Sequence, residues 1–184
     1  MLDAQDEPAI LVGHSSGGIA VTQAAEHRPE KIEALVYLAA YLPQNGQSML
    51  ELVESDPEAR GDGVLVHEDE GWLEFPEWVA REAFGTDVAG GVWDRYWART
   101  RPEPLAPLVT PVLTTEKNFG RLPRVYVETL RDRGVSPGLQ RRMRSALPCR
   151  VVTLDTGHMP MLSATRQLAD LLASLASREK ALVR

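Results

Sequence analysis

The chain has a single cysteine, Cys149, so it cannot close an internal disulfide. That thiol is expected to be a packed side chain at the start of a strand. No apolar run approaches the roughly 18 residues of a membrane helix, so no membrane partner is expected. The opening residues, Met1-Leu2-Asp3-Ala4-Gln5-Asp6-Glu7, are acidic and lack a secretory apolar core, and cytoplasmic residence is the expectation. Positive charge is in deficit, with 20 Lys and Arg against 26 Asp and Glu and a net charge of −6. A nucleic-acid partner is therefore not expected. The one dense basic cluster, Arg141-Arg142-Met143-Arg144 with Arg131 and Arg133, reads as a solvated helix face. Internal repeats and low-complexity tracts are absent. What remains, 184 residues of which 43% are hydrophobic, suffices for one sizeable core.

The most informative stretch is Ala9-Ile10-Leu11-Val12-Gly13-His14-Ser15-Ser16-Gly17-Gly18-Ile19-Ala20. Its apolar run suits a parallel strand covered on both faces. Small residues then lead into a helical pattern from Ser16 to His27, ended by Arg28-Pro29-Glu30. Between them lies Gly-x-Ser-x-Gly, which places Ser15 at the apex of a tight strand-to-helix turn. Gly13 and Gly17 are expected to remove Cβ atoms that would collide there. Ser16 is out of register, because two residues before it stands His14 and not glycine. An ordinary glycine-rich turn or a phosphate-binding loop is the competing reading of this stretch alone.

Downstream residues favour the nucleophile reading. Arg124 to Thr129 reads as a strand, with Asp132 just past its end, and Val151 to Leu154 reads as the next, with His158 in the turn after it. Serine, acid and histidine thus come in the order that a strand-end nucleophile requires, each beyond the carboxyl end of a strand. The roles expected are attack by Ser15, proton acceptance by His158, and orientation of the imidazole by Asp132. Two alternatives stay open: Asp132 as a solvated turn residue, and Asp155 as the acid, although Asp155 is only three residues from His158.

These residues resemble the α/β-hydrolases and, within them, the esterase and hydroxynitrile-lyase branch that includes plant methylesterases and bacterial pyrethroid-type carboxylesterases. The resemblance rests on Ile10 to Tyr41, on Leu122 to Leu171, and on Arg101-Pro102-Glu103-Pro104-Leu105 between them. It implies a mostly parallel sheet with helices on both faces and a helical cap insertion. Several strands precede the nucleophile strand in that family, whereas only Met1 to Pro8 do so here, so an N-terminally truncated form is expected. The loop expected to be missing supplies one oxyanion N–H; the other comes from the residue after the nucleophile, here Ser16. Lyases of the branch carry lysine directly after the histidine, where this chain has Met159. His14 and Met159 are expected to line the site with Ser16, and no metal or cofactor is implied.

Three regions are expected: residues 1–43 with the nucleophile strand, helix and a second strand over Ile32 to Ala40; residues 44–121 as a cap or lid; and residues 122–184 with acid and histidine. All four tryptophans and all three phenylalanines lie in the middle region. Helical pieces are expected there over Met49 to Ser55, Trp72 to Phe84 and Gly91 to Arg99, and Pro102, Pro104, Pro107 and Pro111 should keep the chain extended beyond them. Such a cap suits an acyl or aryl group, or its aromatics simply hold it together. His67 reads as a solvated loop residue and His27 as a structural helix-end residue. Ser136-Pro137 should open a helix running to about Ala146, and Ser163 should cap a final one bearing Leu168, Leu171, Leu172 and Leu175. The strand at 9–13 should present a bare apolar edge, so a homodimer through that edge, aggregation, or a missing partner segment is expected.

The function expected is cleavage of a small-molecule carboxylic ester through an acyl-enzyme. The alternatives are a carbon–carbon lyase on the same scaffold and a non-catalytic binding protein or inactive remnant.

Overall fold

The computed structural model describes residues 1–59 and 62–182. In chain order, β1 (Ala9–His14), α1 (Gly17–His27) and β2 (Ile32–Leu38) are followed by α2 (Met49–Glu54), β3 (Leu65–His67), β4 (Trp72–Glu74), α3 (Glu77–Phe84), α4 (Gly90–Trp97), β5 (Glu103–Pro104) and α5 (Ala106–Val109). The chain then continues through β6 (Arg124–Thr129), α6 (Pro137–Ala146), β7 (Arg150–Leu154), α7 (Pro160–Ser163) and α8 (Thr165–Leu182).

One sheet, in the order β1-β2-β6-β7, is parallel throughout. Strand residues alternate between two cores because successive side chains point to opposite faces. Leu35, Tyr37 and Tyr126 face one way, against Ile19, Val21 and Ala25 of α1 and Leu139 and Met143 of α6. Val36, Leu38, Val125 and Val127 face the other, against Leu168 and Leu175 of α8. Helices therefore cover both faces, and β2 and β6, each paired on both edges, are the deeply buried strands. The α6 start is as expected: Pro137 opens it, and the Ser136 hydroxyl accepts from Leu139 N–H at 3.0 Å.

The segment between β2 and β6 is less helical than its composition implies. Trp72–Glu74 is a strand, and the helix expected from Trp72 begins only at Glu77, after Pro76. With β3 and β5 it makes a small antiparallel sheet. His67 lies on β3 and stacks on Trp72 at 3.7 Å between ring centroids, so the solvated-loop reading is corrected. The C-terminal helix also differs. Ser163 ends the short α7, its hydroxyl bonding back to the Met159 carbonyl, and α8 starts afresh at Thr165.

The basic face of α6 is not merely solvated. Arg141 and Arg144 both donate to Glu128, whose carboxylate is buried at the end of β6. Met143, between them, faces the core. A buried carboxylate is tolerable only with such partners.

Candidate active site

The turn after β1 holds Ser15 at φ 53°, in the left-handed region that a residue with a Cβ seldom enters. Backbone bonds keep it there: Ser15 N–H donates to the Leu38 carbonyl at 3.4 Å, and its own carbonyl accepts from Gly18 N–H at 3.0 Å and Tyr41 N–H at 3.1 Å. The glycine requirement is only half as expected. A Cβ at Gly13 would lie 2.8 Å from the Gly17 carbonyl oxygen, but one at Gly17 would meet nothing within 4 Å. Gly18 is the second tight position, where a Cβ would fall 2.0 Å from the Tyr41 carbonyl oxygen. The helix packs against the 39–41 segment there, which is why the constraint moves one residue along.

His158, in the turn after β7, lies with its Nε2 3.0 Å from Ser15 Oγ. Its Nδ1–H faces both oxygens of Asp132, at 3.0 and 2.9 Å. With Nδ1 as donor, Nε2 is free to accept from the serine hydroxyl. Asp132 is buried and accepts from a dense donor set: Thr129 Oγ1–H at 2.7 Å, Gly134 N–H at 2.8 Å, Val135 N–H at 2.9 Å and Gln140 Nε2–H at 3.2 Å. Asp155, the other candidate acid, pairs elsewhere. Its side chain is 77% exposed and pairs with Arg131 at 2.9 Å. Arg131 N–H also donates to the Thr156 carbonyl at 2.9 Å, joining the acid's loop to the histidine's.

His14, Ser16 and Met159 border the cavity beside Ser15, and they are not equivalent. His14 Nε2–H donates to the His158 carbonyl at 2.8 Å, and the two rings sit 4.7 Å apart. Burial pushes the His14 imidazole down to about 4, so it is neutral near pH 7. Met159 is buried in a cluster with Ala80, Val88 and Trp93, and presents no charge. Ser16 Oγ–H turns to Glu103 Oε1 at 2.8 Å.

Sequence reading missed Gln140, whose fully buried amide links Thr129, Asp132 and the Val135 carbonyl. A polar residue among the apolar positions of α6 was the available signal. It also missed Phe84, whose ring lies 5.0 Å from that of His158.

Above Ser15 lies a cavity of about 720 Å³. Phe75, Phe84, Val92, Trp97, Met161 and Leu162 form an apolar wall, while Arg95, Arg99, Arg101 and Glu74 also line it. The wall is thus more mixed than the expected apolar pocket. The aromatics divide by role: Trp97 lines the cavity, Trp93 is 2% exposed in the core of the insertion, and Trp78 is 63% exposed on the surface.

Such a hydrogen-bonded series at the C-terminal ends of parallel strands, under an inserted segment, is the arrangement of a hydrolase-type α/β protein. The chain belongs to the alpha/beta hydrolase family, whose family model matches residues 1–171. It is 28% identical to putative methylesterase 14 of Arabidopsis thaliana, over 94% of this chain and 53% of that protein. It is 30% identical to the pyrethroid hydrolase of Sphingobium wenxiniae, over 91% of this chain and 63% of that one. The chain thus spans between about half and two thirds of the length of these two relatives. Among solved structures, a pyrethroid hydrolase from Sphingobium faniae superposes with a TM-score of 0.83 at 26% identity, covering 96% of this chain and 73% of that one. Tomato methylketone synthase I, at 21% identity and a TM-score of 0.85, shares the fold over 97% of this chain and 75% of its own.

Proposed function

We propose that the chain is a serine esterase that cleaves a carboxylic ester through an acyl-enzyme, with Ser15, His158 and Asp132 as its catalytic residues. The observation that carries this reading is the unbroken series from Ser15 Oγ through His158 Nε2 and Nδ1 to Asp132. Ser15 Oγ attacks the ester carbonyl as His158 Nε2 takes its proton, and Asp132 stabilises the imidazolium. His158 then returns the proton to the departing alkoxide. Water, deprotonated by the same nitrogen, releases the acid. Ser16 N–H, at the start of α1, faces the developing oxyanion, where one such donor contributes about 100- to 1000-fold in rate.

The relatives' names, methylesterase and pyrethroid hydrolase, support an ester as the substrate class. The apolar wall suits its acyl or aryl portion. Met159 offers no cation to a leaving cyanide, so nothing specific favours the lyase reading.

Labelling with a fluorophosphonate probe, mapped by mass spectrometry, tests the proposal. One adduct on Ser15, absent in Ser15→Ala, with p-nitrophenyl ester turnover lost in the same variant, is expected. A folded chain that binds aryl esters yet neither labels nor turns over would overturn it in favour of a binding protein.

A further inference from the structure

Two carboxylates of the insertion reach the site, and each grips the chain neighbour of a reacting residue. Glu103 on β5 accepts from Ser16 Oγ–H at 2.8 Å, one residue after Ser15. Asp87, between α3 and α4, accepts from Gly157 N–H at 2.6 Å, one residue before His158. We infer that Glu103 and Asp87 are positioning residues that set the spacing between Ser15 Oγ and His158 Nε2. The inference rests on the esterase reading above for what that spacing does.

Ser16 occupies the N-cap position of α1, where a serine hydroxyl ordinarily accepts from the first helical N–H groups. Here it makes no such bond. Its backbone is already helical, at φ −54° and ψ −25°, and its hydroxyl donates outward to the insertion. A residue whose N–H borders the nucleophile is therefore steered by a carboxylate of the segment between β2 and β6.

The Asp87 contact depends on a missing side chain. A Cβ at residue 157 would lie 2.7 Å from Asp87 Oδ1, so the carboxylate seats directly on the backbone only because that residue is glycine. Gly134 makes the parallel allowance for Phe84: a Cβ there would lie 2.7 Å from the Phe84 ring and 3.1 Å from His158 Cγ. The stretch 84–87 thus lies flush on the loops of both acid and histidine. Arg131, itself bound to Asp155, approaches Asp87 at 3.9 Å and completes the bracket.

Asp87 adjoins Val88 of one packed cluster, while Glu103 is held on β5 against β4. Trp93, Val88 and Ala80 form that cluster with Met159, the residue after His158. Ser15 and His158 are 143 positions apart in the chain, and nothing covalent nearby fixes their separation. A displacement of about 1 Å there can cost roughly 100-fold in rate.

The test uses the full chain with Asp87→Ala, Glu103→Ala, the double variant, and the conservative Asp87→Asn and Glu103→Gln, which keep an acceptor oxygen. Steady-state turnover of p-nitrophenyl butyrate separates kcat from KM, and circular dichroism gives the folded fraction to which each rate is normalised. His158 ring 15N resonances supply a readout that needs no substrate.

Each alanine variant is expected to lower kcat by about 10- to 100-fold with KM nearly constant. The double variant should lose less than the product of the singles, because the tethers serve one geometry. Asn and Gln should recover most of the rate. Loss of melting temperature with kcat intact in the folded fraction overturns the inference, as does a rise in KM alone or failure of Asn and Gln to recover. Should the wild-type chain not hydrolyse esters, the esterase reading falls. The positioning inference then stands or falls on whether the alanine variants shift the His158 resonances and the conservative ones restore them.

Discussion

Ser15 carries backbone strain that its neighbours enforce. A non-glycine residue in the left-handed region costs on the order of 1–3 kcal/mol and persists only where surrounding bonds over-determine it. Ser15→Gly is therefore expected to raise stability by about 1 kcal/mol in urea denaturation while abolishing ester turnover. Ser15→Ala, which keeps the Cβ, should abolish turnover without that gain. Asp132→Asn should lower kcat on the order of 10⁴-fold, because an amide no longer selects the histidine tautomer with its proton on Nδ1. His14 makes a different prediction. It is neutral in the folded chain down to about pH 4, whereas an unfolded histidine takes up a proton near pH 6.5. The unfolded state thus binds more protons between those values, and stability falls as pH drops through that window. The contribution reaches about 3 kcal/mol by pH 4. Denaturation midpoints across pH 4–7 should show a shallower decline in His14→Gln.

At the scale of elements, the tight contact between the start of α1 and the 39–41 segment makes neighbouring glycines opposite in character. Gly17 has open space around its missing side chain and lies in a helix, so Gly17→Ala should stabilise by roughly 0.5–1 kcal/mol. Gly18→Ala drives a Cβ into the Tyr41 carbonyl oxygen and should cost at least about 3 kcal/mol or prevent folding. Equilibrium urea unfolding of the two variants checks the contrast. In the insertion, Trp93 packs with Tyr96, Trp97 and the Arg81 guanidinium around it. Trp93→Ala should cost about 3–5 kcal/mol.

For the whole molecule, β1 is the edge of the main sheet, paired only with β2 among the described residues. Val12 on it is 41% exposed. An apolar strand edge with unpaired N–H and C=O groups invites a second copy. Sedimentation velocity is expected to show concentration-dependent dimers, and Val12→Lys to shift the distribution towards monomer. A wild-type chain that stays monomeric at high concentration would remove that expectation.

The local signals were strong where chemistry and chain coincide. The apolar strand, Gly13 before Ser15, and the order of Ser15, Asp132 and His158 are written in adjacent residues or in strand-end positions, because a strand-to-helix turn and a period-two strand leave direct traces in composition. The division into two cores was not legible in β2, because a strand covered on both faces is apolar throughout and its alternation leaves no trace. Tertiary structure alone decided matters that depend on residues far apart in sequence. It turned Asp155 towards Arg131 and left Asp132 as the histidine's partner. It moved the steric demand from Gly17 to Gly18, because Tyr41 crosses there. It sorted the tryptophans into core, wall and surface, and brought Glu103 and Asp87 to the neighbours of Ser15 and His158. Hydrogen-bond partners separated by 87 and 70 residues leave no periodic trace, since only packing of the insertion on the sheet creates them.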